Sequence, residues 1–589
     1  IGESSRRSKA SGMAILLMQL HGTAITTTPY VNVPSLGVAF GTLFSNDSSI
    51  AVFNGLKYGA PPVGAGRFAS STPAGPLSTV AGEAYNATAY GDFCWQPESI
   101  HLPPGNMNED CLFLNVAGPL SALNASASLP VAFWIHGGSY NSGMSNSYHN
   151  FAMASAAHTA SEPMIVVTTN YRLNSFGFLA SPAIANVANP ATKSAGNFGI
   201  EDQRLALRWV HDHIAAFGGD PSRVTIFGES AGGNSVLNHL AQPASGSLFH
   251  RAIIESGVYN SGGKTMEDAT AQFTSLLTIA PGCDVNASAT EQIKCLRALN
   301  ASTLRDLGEK AQHNPSCVQW LPVIDGVSMS AAPTALIEAG KYHSEVPVLM
   351  GSNRDEMAFF LILAEKFYPA NLTEADFDAA LASAGNAALG PPLKKIYDPA
   401  QGGTYVLPPV SKRGNFSKWW WILMRTETDT VWGLGACAHR ALARALLKGG
   451  TPSVHVYLFA HPSQTDSFGG AVPGLIGKGT VVVPHASEIP FVYSDATQLT
   501  PGEEATLATE MGAYFTRFIV AAADKMVNPT PRGTRFTKWP AYDPTADEVL
   551  RFDVASAGGI VVQQGLRKTA CDFFDAHKKP DPKHSALRQ

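Results

Sequence analysis

No apolar run of about 18 residues occurs in this 589-residue sequence, so nothing in it reads as a membrane-spanning helix. It has no internal repeat, which excludes solenoid and propeller architectures, and no low-complexity block. Charge is sparse, at 15% of residues, and lacks a basic excess: 41 Lys and Arg stand against 46 Asp and Glu, for a net charge of −5. A nucleic-acid or anionic-membrane partner is therefore not expected. Cysteine is scarce as well, with seven in all. Cys94 with Cys111 and Cys283 with Cys295 are short-range pairs that an oxidising compartment could close, leaving Cys317, Cys437 and Cys571 over. What the chain does have is apolar content, 45%, enough to bury a large core. Its length fits either several domains or one large α/β unit with insertions.

The clearest local signal is Gly228-Glu229-Ser230-Ala231-Gly232, which follows the apolar run Val224-Thr225-Ile226-Phe227 and precedes Val236, Leu237 and Leu240 at helical spacing. This is a Gly-x-Ser-x-Gly elbow in a strand–turn–helix context. A serine on so tight a turn leaves no room for side chains two positions away on either side, and glycine fits there. The turn puts the Ser230 hydroxyl above the sheet at a helix N-terminus, whose free N–H groups favour negative charge. As a bare pattern the motif also arises by chance in glycine-rich loops, so its context carries the reading.

Other apolar runs have the same character: residues 109–116, 131–135, 164–169, 252–254, 346–350 and 454–459, several ending in glycine-bearing loops. Continuous apolar strands separated by helical patterns, such as 202–216, predict a largely parallel sheet covered on both faces, an α/β architecture. Between residues 350 and 454 lies an Ala-, Trp- and Leu-rich stretch read as helical insertions. Its Trp419-Trp420-Trp421 is either a pocket wall or, more commonly for aromatics on a helix, core.

A serine hydroxyl needs a base, a group to orient that base, and donors for the oxyanion. In elbow hydrolases the order along the chain is serine, acid, histidine. After the run at 346–350 come Asp355 and Glu356, and after 454–459 comes His485, so acid and base follow successive strands; spacing alone does not choose between the two acids. Upstream, His136-Gly137-Gly138-Ser139 follows a strand as an oxyanion loop would, with the N–H of Ala231 as a further donor. Loss of one such donor typically costs about a hundred- to a thousandfold in turnover.

Taken with Tyr58 to Phe68, Glu109 to Val116, Asn170 to Leu173, Glu201 to Val210, Phe217 to Pro221, Glu255-Ser256-Gly257, Asn353 to Glu356 and His485 to Tyr493, these stretches resemble the type-B carboxylesterase/lipase family over nearly the whole chain. The resemblance implies the α/β-hydrolase fold as a single domain over about residues 25–577, with Ser230 as nucleophile, Glu356 as acid and His485 as base. It also implies Gly138, Ser139 and Ala231 as oxyanion donors, and Glu229 and Ser256 as supporting residues. Ser139 departs from the family's third glycine; its N–H can serve only if its backbone suits a residue with a side chain. The pairs Arg67–Glu109 and Arg172–Asp202 resemble structural ion pairs, and Cys94–Cys111 and Cys283–Cys295 match the family's two common disulfides.

The function implied is carboxylic-ester hydrolysis through an acyl-enzyme on a small-molecule ester, with no metal or organic cofactor. Residues 95–110 make a loop of 16 between Cys94 and Cys111, shorter than the flap of the family's interfacial lipases and cholinesterases, which favours soluble esters. The alternatives are an interfacial lipase and, from another class, a non-catalytic adhesion member of the fold. Arg6, Arg7 and Lys9 before the apolar run 13–20 make residues 1–24 resemble a secretory leader. Asn-x-Ser/Thr sites at Asn46, Asn86, Asn124, Asn286, Asn300, Asn371 and Asn415 fit export. The tail 578–589 is polar and proline-bearing, as an unstructured end would be.

Overall fold

The computed structural model describes residues 28–577 apart from 79, 81, 99–104, 125, 260–262, 313–318, 365–367, 431–432, 464–480 and 523–525. The expected leader, the polar tail, Cys317 and the middle of the 95–110 loop lie outside these residues.

An eleven-stranded sheet organises the chain. In chain order its strands are β1 (Thr42–Phe44), β2 (Asp47–Lys57), β3 (Phe113–Pro119), β4 (Leu129–Ile135), β5 (Ile165–Thr169) and β6 (Gly219–Glu229). They continue with β7 (Arg251–Glu255), β8 (Val348–Asn353), β9 (Val454–Phe459), β10 (Val549–Phe552) and β11 (Val561–Gln563). In space they run β11-β10-β9-β8-β7-β6-β4-β5-β3-β2-β1. Every pairing from β5 through β4 and β6 to β10 is parallel, and antiparallel strands complete both edges. This is the mostly parallel, helix-covered sheet of the α/β-hydrolase fold.

The sheet is buried on both faces, which is why its strands read as unbroken apolar runs. Along β4, Val131, Phe133 and Ile135 join one core, while Ala132 and Trp134 join the other. The run at 109–116 becomes a strand only from Phe113, because Glu109 is turned towards Arg67 (2.6 Å) and Cys111 is tied to Cys94. The helix read at 202–216 begins earlier, at Phe198, and its regular part ends at His213, with Gly218 at φ +84° turning the chain into β6.

Arg172 pairs with Asp202 through two guanidinium nitrogens, at 2.8 Å each, with both side chains buried. A third core gathers over the insertions, around Trp420 and Trp421, both essentially inaccessible, so these two tryptophans are core rather than pocket wall. Cysteines 94 and 111, and 283 and 295, are bonded. Cys437 and Cys571, left over in the sequence, form a third disulfide across 134 residues, a separation at which spacing carries no signal.

Candidate active site

The turn after β6 has the shape that the glycine spacing predicts. Ser230 stands at φ 58°, ψ −123°, between the end of β6 and helix α3 (Ala231–Ala241), where α1 is Asn150–Thr159 and α2 Phe198–His213. A Cβ on Gly228 would lie 2.5 Å from the Ile135 carbonyl oxygen and 2.7 Å from the Gly232 backbone, and one on Gly232 would lie 2.9 Å from the His136 carbonyl carbon. Neither position admits a side chain. Such a backbone costs roughly 1–3 kcal/mol and persists because β4, β6 and α3 enforce it.

Glu356 lies just beyond β8, fully buried. Its Oε2 accepts from His485 Nδ1 at 2.6 Å, and its Oε1 accepts from the Ser256 hydroxyl at 2.6 Å and the Asn353 N–H at 2.5 Å. The carboxylate is thus held by three donors. The neighbouring Asp355 turns the other way, towards Arg354 and Arg425, so the two adjacent acids are separated by direction. On the imidazole's far side Nε2 lies 3.0 Å from Glu229 Oε1, too poorly aligned for a hydrogen bond, and it makes none to Ser230. Long or misaligned contacts of this kind are common before substrate enters. Helix α4 (Met357–Leu363) sets the Phe360 ring 5.1 Å from the imidazole.

Beside the elbow, Gly138, Ser139 and Tyr140 run in succession at φ 103°, 56° and 57°. Ser139 therefore occupies the left-handed region that favours glycine, the one position at which the sequence departs from three glycines. A Cβ on Gly137 would sit 3.0 Å from the Ser230 Cβ, so this backbone passes directly by the nucleophile candidate. The loop is pinned from behind: the Tyr140 hydroxyl donates to Asn234 at 2.8 Å, and Gln96 accepts from the Gly143 N–H at 2.9 Å while donating to its carbonyl at 3.1 Å.

Three buried glutamates, Glu229, Glu356 and Glu488, act on the imidazole, and a fourth, Glu255, lies near Glu229 and Glu488. Burial pushes the Glu229 carboxyl well up, with Glu488 and Glu356 adding to the rise and His485 opposing it. Glu255 is raised likewise, by burial and then by Glu488 and Glu229, and neither of its oxygens has a hydrogen-bond partner among the described residues. Glu488 is raised to about 7, by burial and then Glu356, although Asn353 donates to it at 2.5 Å. For His485 burial acts downward but is outweighed by Glu229 and Glu356, which hold the imidazole up at about 9. Among the described residues no cluster of three or more His, Cys, Asp or Glu is arranged to hold a metal ion.

All six residues read as nucleophile, acid, base and oxyanion donors converge at this edge of the sheet, with Glu229 and Ser256 against them. Asn353, Glu488 and Glu255 stand in stretches that the sequence singled out, but only their burial against one another reveals that they share the site. Tyr259, whose phenol adjoins the Ser230 hydroxyl, had no signal of its own.

Residues 28–574 match the model of the carboxylesterase family. The chain belongs to the carboxylesterase family. Curated relatives include carboxylesterase 5A of Felis catus, 29% identical over 90% of this chain and 91% of that protein. Liver carboxylesterase 1 of Oryctolagus cuniculus is 31% identical over 84% of each chain. Acetylcholinesterase of Electrophorus electricus is 29% identical over 95% of this chain and 90% of its own. As a carboxylesterase-family member the chain is a carboxylic-ester hydrolase, and it carries the three-disulfide framework described above.

Proposed function

We propose that this carboxylesterase-family enzyme cleaves small-molecule esters through an acyl-enzyme on Ser230. His485 takes the hydroxyl proton as Ser230 attacks the carbonyl, then passes it to the departing alcohol; water repeats the cycle on the acyl group. Glu356 orients the imidazole and stabilises its cationic form, while the N–H groups of Gly138, Ser139 and Ala231 receive the oxyanion. The 2.6 Å contact between Glu356 and His485, delivered to the same sheet edge as the strained Ser230, is the observation that carries this reading.

Soluble esters of short to medium acyl length are the favoured substrates, on the argument that the short loop between Cys94 and Cys111 covers little apolar surface. An interfacial lipase is the second reading. Export as a glycoprotein is supported by three disulfides and by the exposure of all seven sequon asparagines. No helix among the described residues is long and apolar enough to cross a membrane.

A pre-steady-state assay with an activated short-chain ester tests the mechanism. Wild type is expected to release a burst of alcohol equal to the enzyme present, and Ser230→Ala to lose both burst and turnover. Undiminished turnover in S230A would remove Ser230 from the mechanism, and sharp activation at an oil–water interface would favour the lipase.

A further inference from the structure

Directly behind Glu356 lies a second carboxylate whose connections lead to the histidine loop by another route. Asp355 is buried, and its Oδ2 accepts from the Val483 N–H at 2.9 Å while its own N–H donates to the Val483 carbonyl at 3.0 Å. Val483 is two residues before His485. The other faces of the Asp355 carboxylate are taken by guanidinium groups: Arg354 at 2.9 Å, and Arg425 in close contact at Oδ1.

Arg425 comes from the tryptophan-rich helix α5 (Lys418–Asp429), 70 residues further along the chain. Its second nitrogen donates to the Arg354 carbonyl, and the same helix presents the Thr428 hydroxyl to the N–H of Met357 at 3.1 Å. Helix α5 therefore grips the segment 354–357 on both sides of Glu356. Its guanidinium is itself enclosed, with the Tyr405 ring 5.3 Å away and Asp429 at 3.7 Å.

We infer that Asp355, charge-balanced by Arg425, is a positioning residue for His485: it anchors the histidine loop at Val483 while Glu356 grips the imidazole. Two adjacent acids thus fix one histidine at two points. The division of labour follows from reach. Glu356 orients the ring, while the loop's height above the sheet is set by its backbone ties: Asn353 donates to the Pro484 carbonyl at 3.0 Å, Arg354 donates to the Val481 carbonyl, and the pair of hydrogen bonds between Asp355 and Val483 is the double anchor among them. Misplacement of a base by about 1 Å can cost about a hundredfold in rate. The balancing charge is needed because a lone buried carboxylate next to Glu356 would carry an uncompensated charge into the site. The inference rests on His485 being the base.

Two double variants separate the anchor from the charge. Asp355→Asn with Arg425→Met removes both charges but keeps an oxygen to accept from Val483. Asp355→Ala with Arg425→Met removes the acceptor as well. Turnover within a few-fold of wild type is expected for the first, and a roughly ten- to hundredfold fall in kcat with little change in KM for the second. Equal kcat in the two, with both folded, would overturn the inference.

Should the alanine variant not fold, Arg425→Met alone decides through its pH profile, since Arg354 still pairs with Asp355. The charged groups facing His485 are Glu229 from β6, Glu356 from the loop after β8, and Glu488 from its own loop, with His439 near Glu356; with Arg425 gone the site loses one positive charge, and Asp355 is balanced by Arg354 alone. The acidic limb of kcat/KM is then expected to move to higher pH, because loss of a positive charge favours the imidazolium. An unmoved limb would overturn the inference. Undiminished turnover in His485→Ala would instead strike at the assignment of the base, so the two failures are distinct.

Discussion

Glu229, beside the elbow serine, meets the imidazole of His485 from the side opposite Glu356. A base must be neutral to accept the serine proton, and an imidazole held at about 9 is mostly cationic at neutral pH. Removing a neighbouring negative charge weakens the cationic form and lowers that pKa. Glu229→Gln is therefore expected to move the acidic limb of kcat/KM to lower pH, which a pH–rate profile with a soluble ester would read directly. A limb that stays in place would mean that Glu229 is already neutral throughout, as its burial pulls it to be. Ser139 shows a different residue-scale compromise: its backbone N–H suits an oxyanion donor, but φ +56° is paid for in strain that the family's glycine avoids.

At the scale of elements, the elbow is a contact between β6, β4 and α3 rather than a property of the serine. Gly228 pairs with Ile135 across the sheet, and a Cβ there would press on both the Ile135 carbonyl and Gly232. Gly228→Ala is expected to lower stability by about 1–3 kcal/mol, as overpacking does, and to reduce kcat by displacing Ser230; urea unfolding and steady-state kinetics check the two effects. Unchanged stability would mean that the turn relaxes more freely than its neighbours allow. This element was legible because its constraint is local: five residues carry it. The strands were legible too, since burial on both faces imposes apolar runs, whereas their ends were not, being set by partners such as Arg67 and Cys94 that lie elsewhere in the chain. Spacing left the choice between Asp355 and Glu356 open for the same reason, and only the family resemblance pointed to Glu356. The structure separates the two acids by partner: Arg425, the one arginine of the tryptophan-rich helix α5, meets Asp355, while Glu356 meets His485.

Across the whole molecule, the bond between Cys437 and Cys571 joins helix α6 (Ala436–Lys448), which packs beneath β8 and β9, to the last described helix of the chain. With α7 at Glu503–Val520, that helix is α8 (Lys568–Ala576). Other polar ties between them include ion pairs of Arg440 with Asp572 and Asp575 and of Arg444 with Asp575 at 3.4 Å, the two carboxylates being 46% and 30% exposed, and a hydrogen bond from Arg440 to the Lys568 carbonyl at 3.5 Å. Pairs so open to water contribute at most about 1 kcal/mol each. A crosslink spanning 134 residues restrains the unfolded chain far more, typically by about 2–5 kcal/mol. Cys437→Ser with Cys571→Ser is accordingly expected to lower unfolding stability by that amount. Because the ion pairs that remain are open to water, α8 should open before the sheet does. Limited proteolysis should then cut the double variant first within α8, under conditions that leave the oxidised protein whole, while kcat at low temperature changes little. Identical digestion of the two proteins would show that packing of Ala570 and Phe574 against α6 and its neighbours, rather than the crosslink, keeps the C-terminal helix in place.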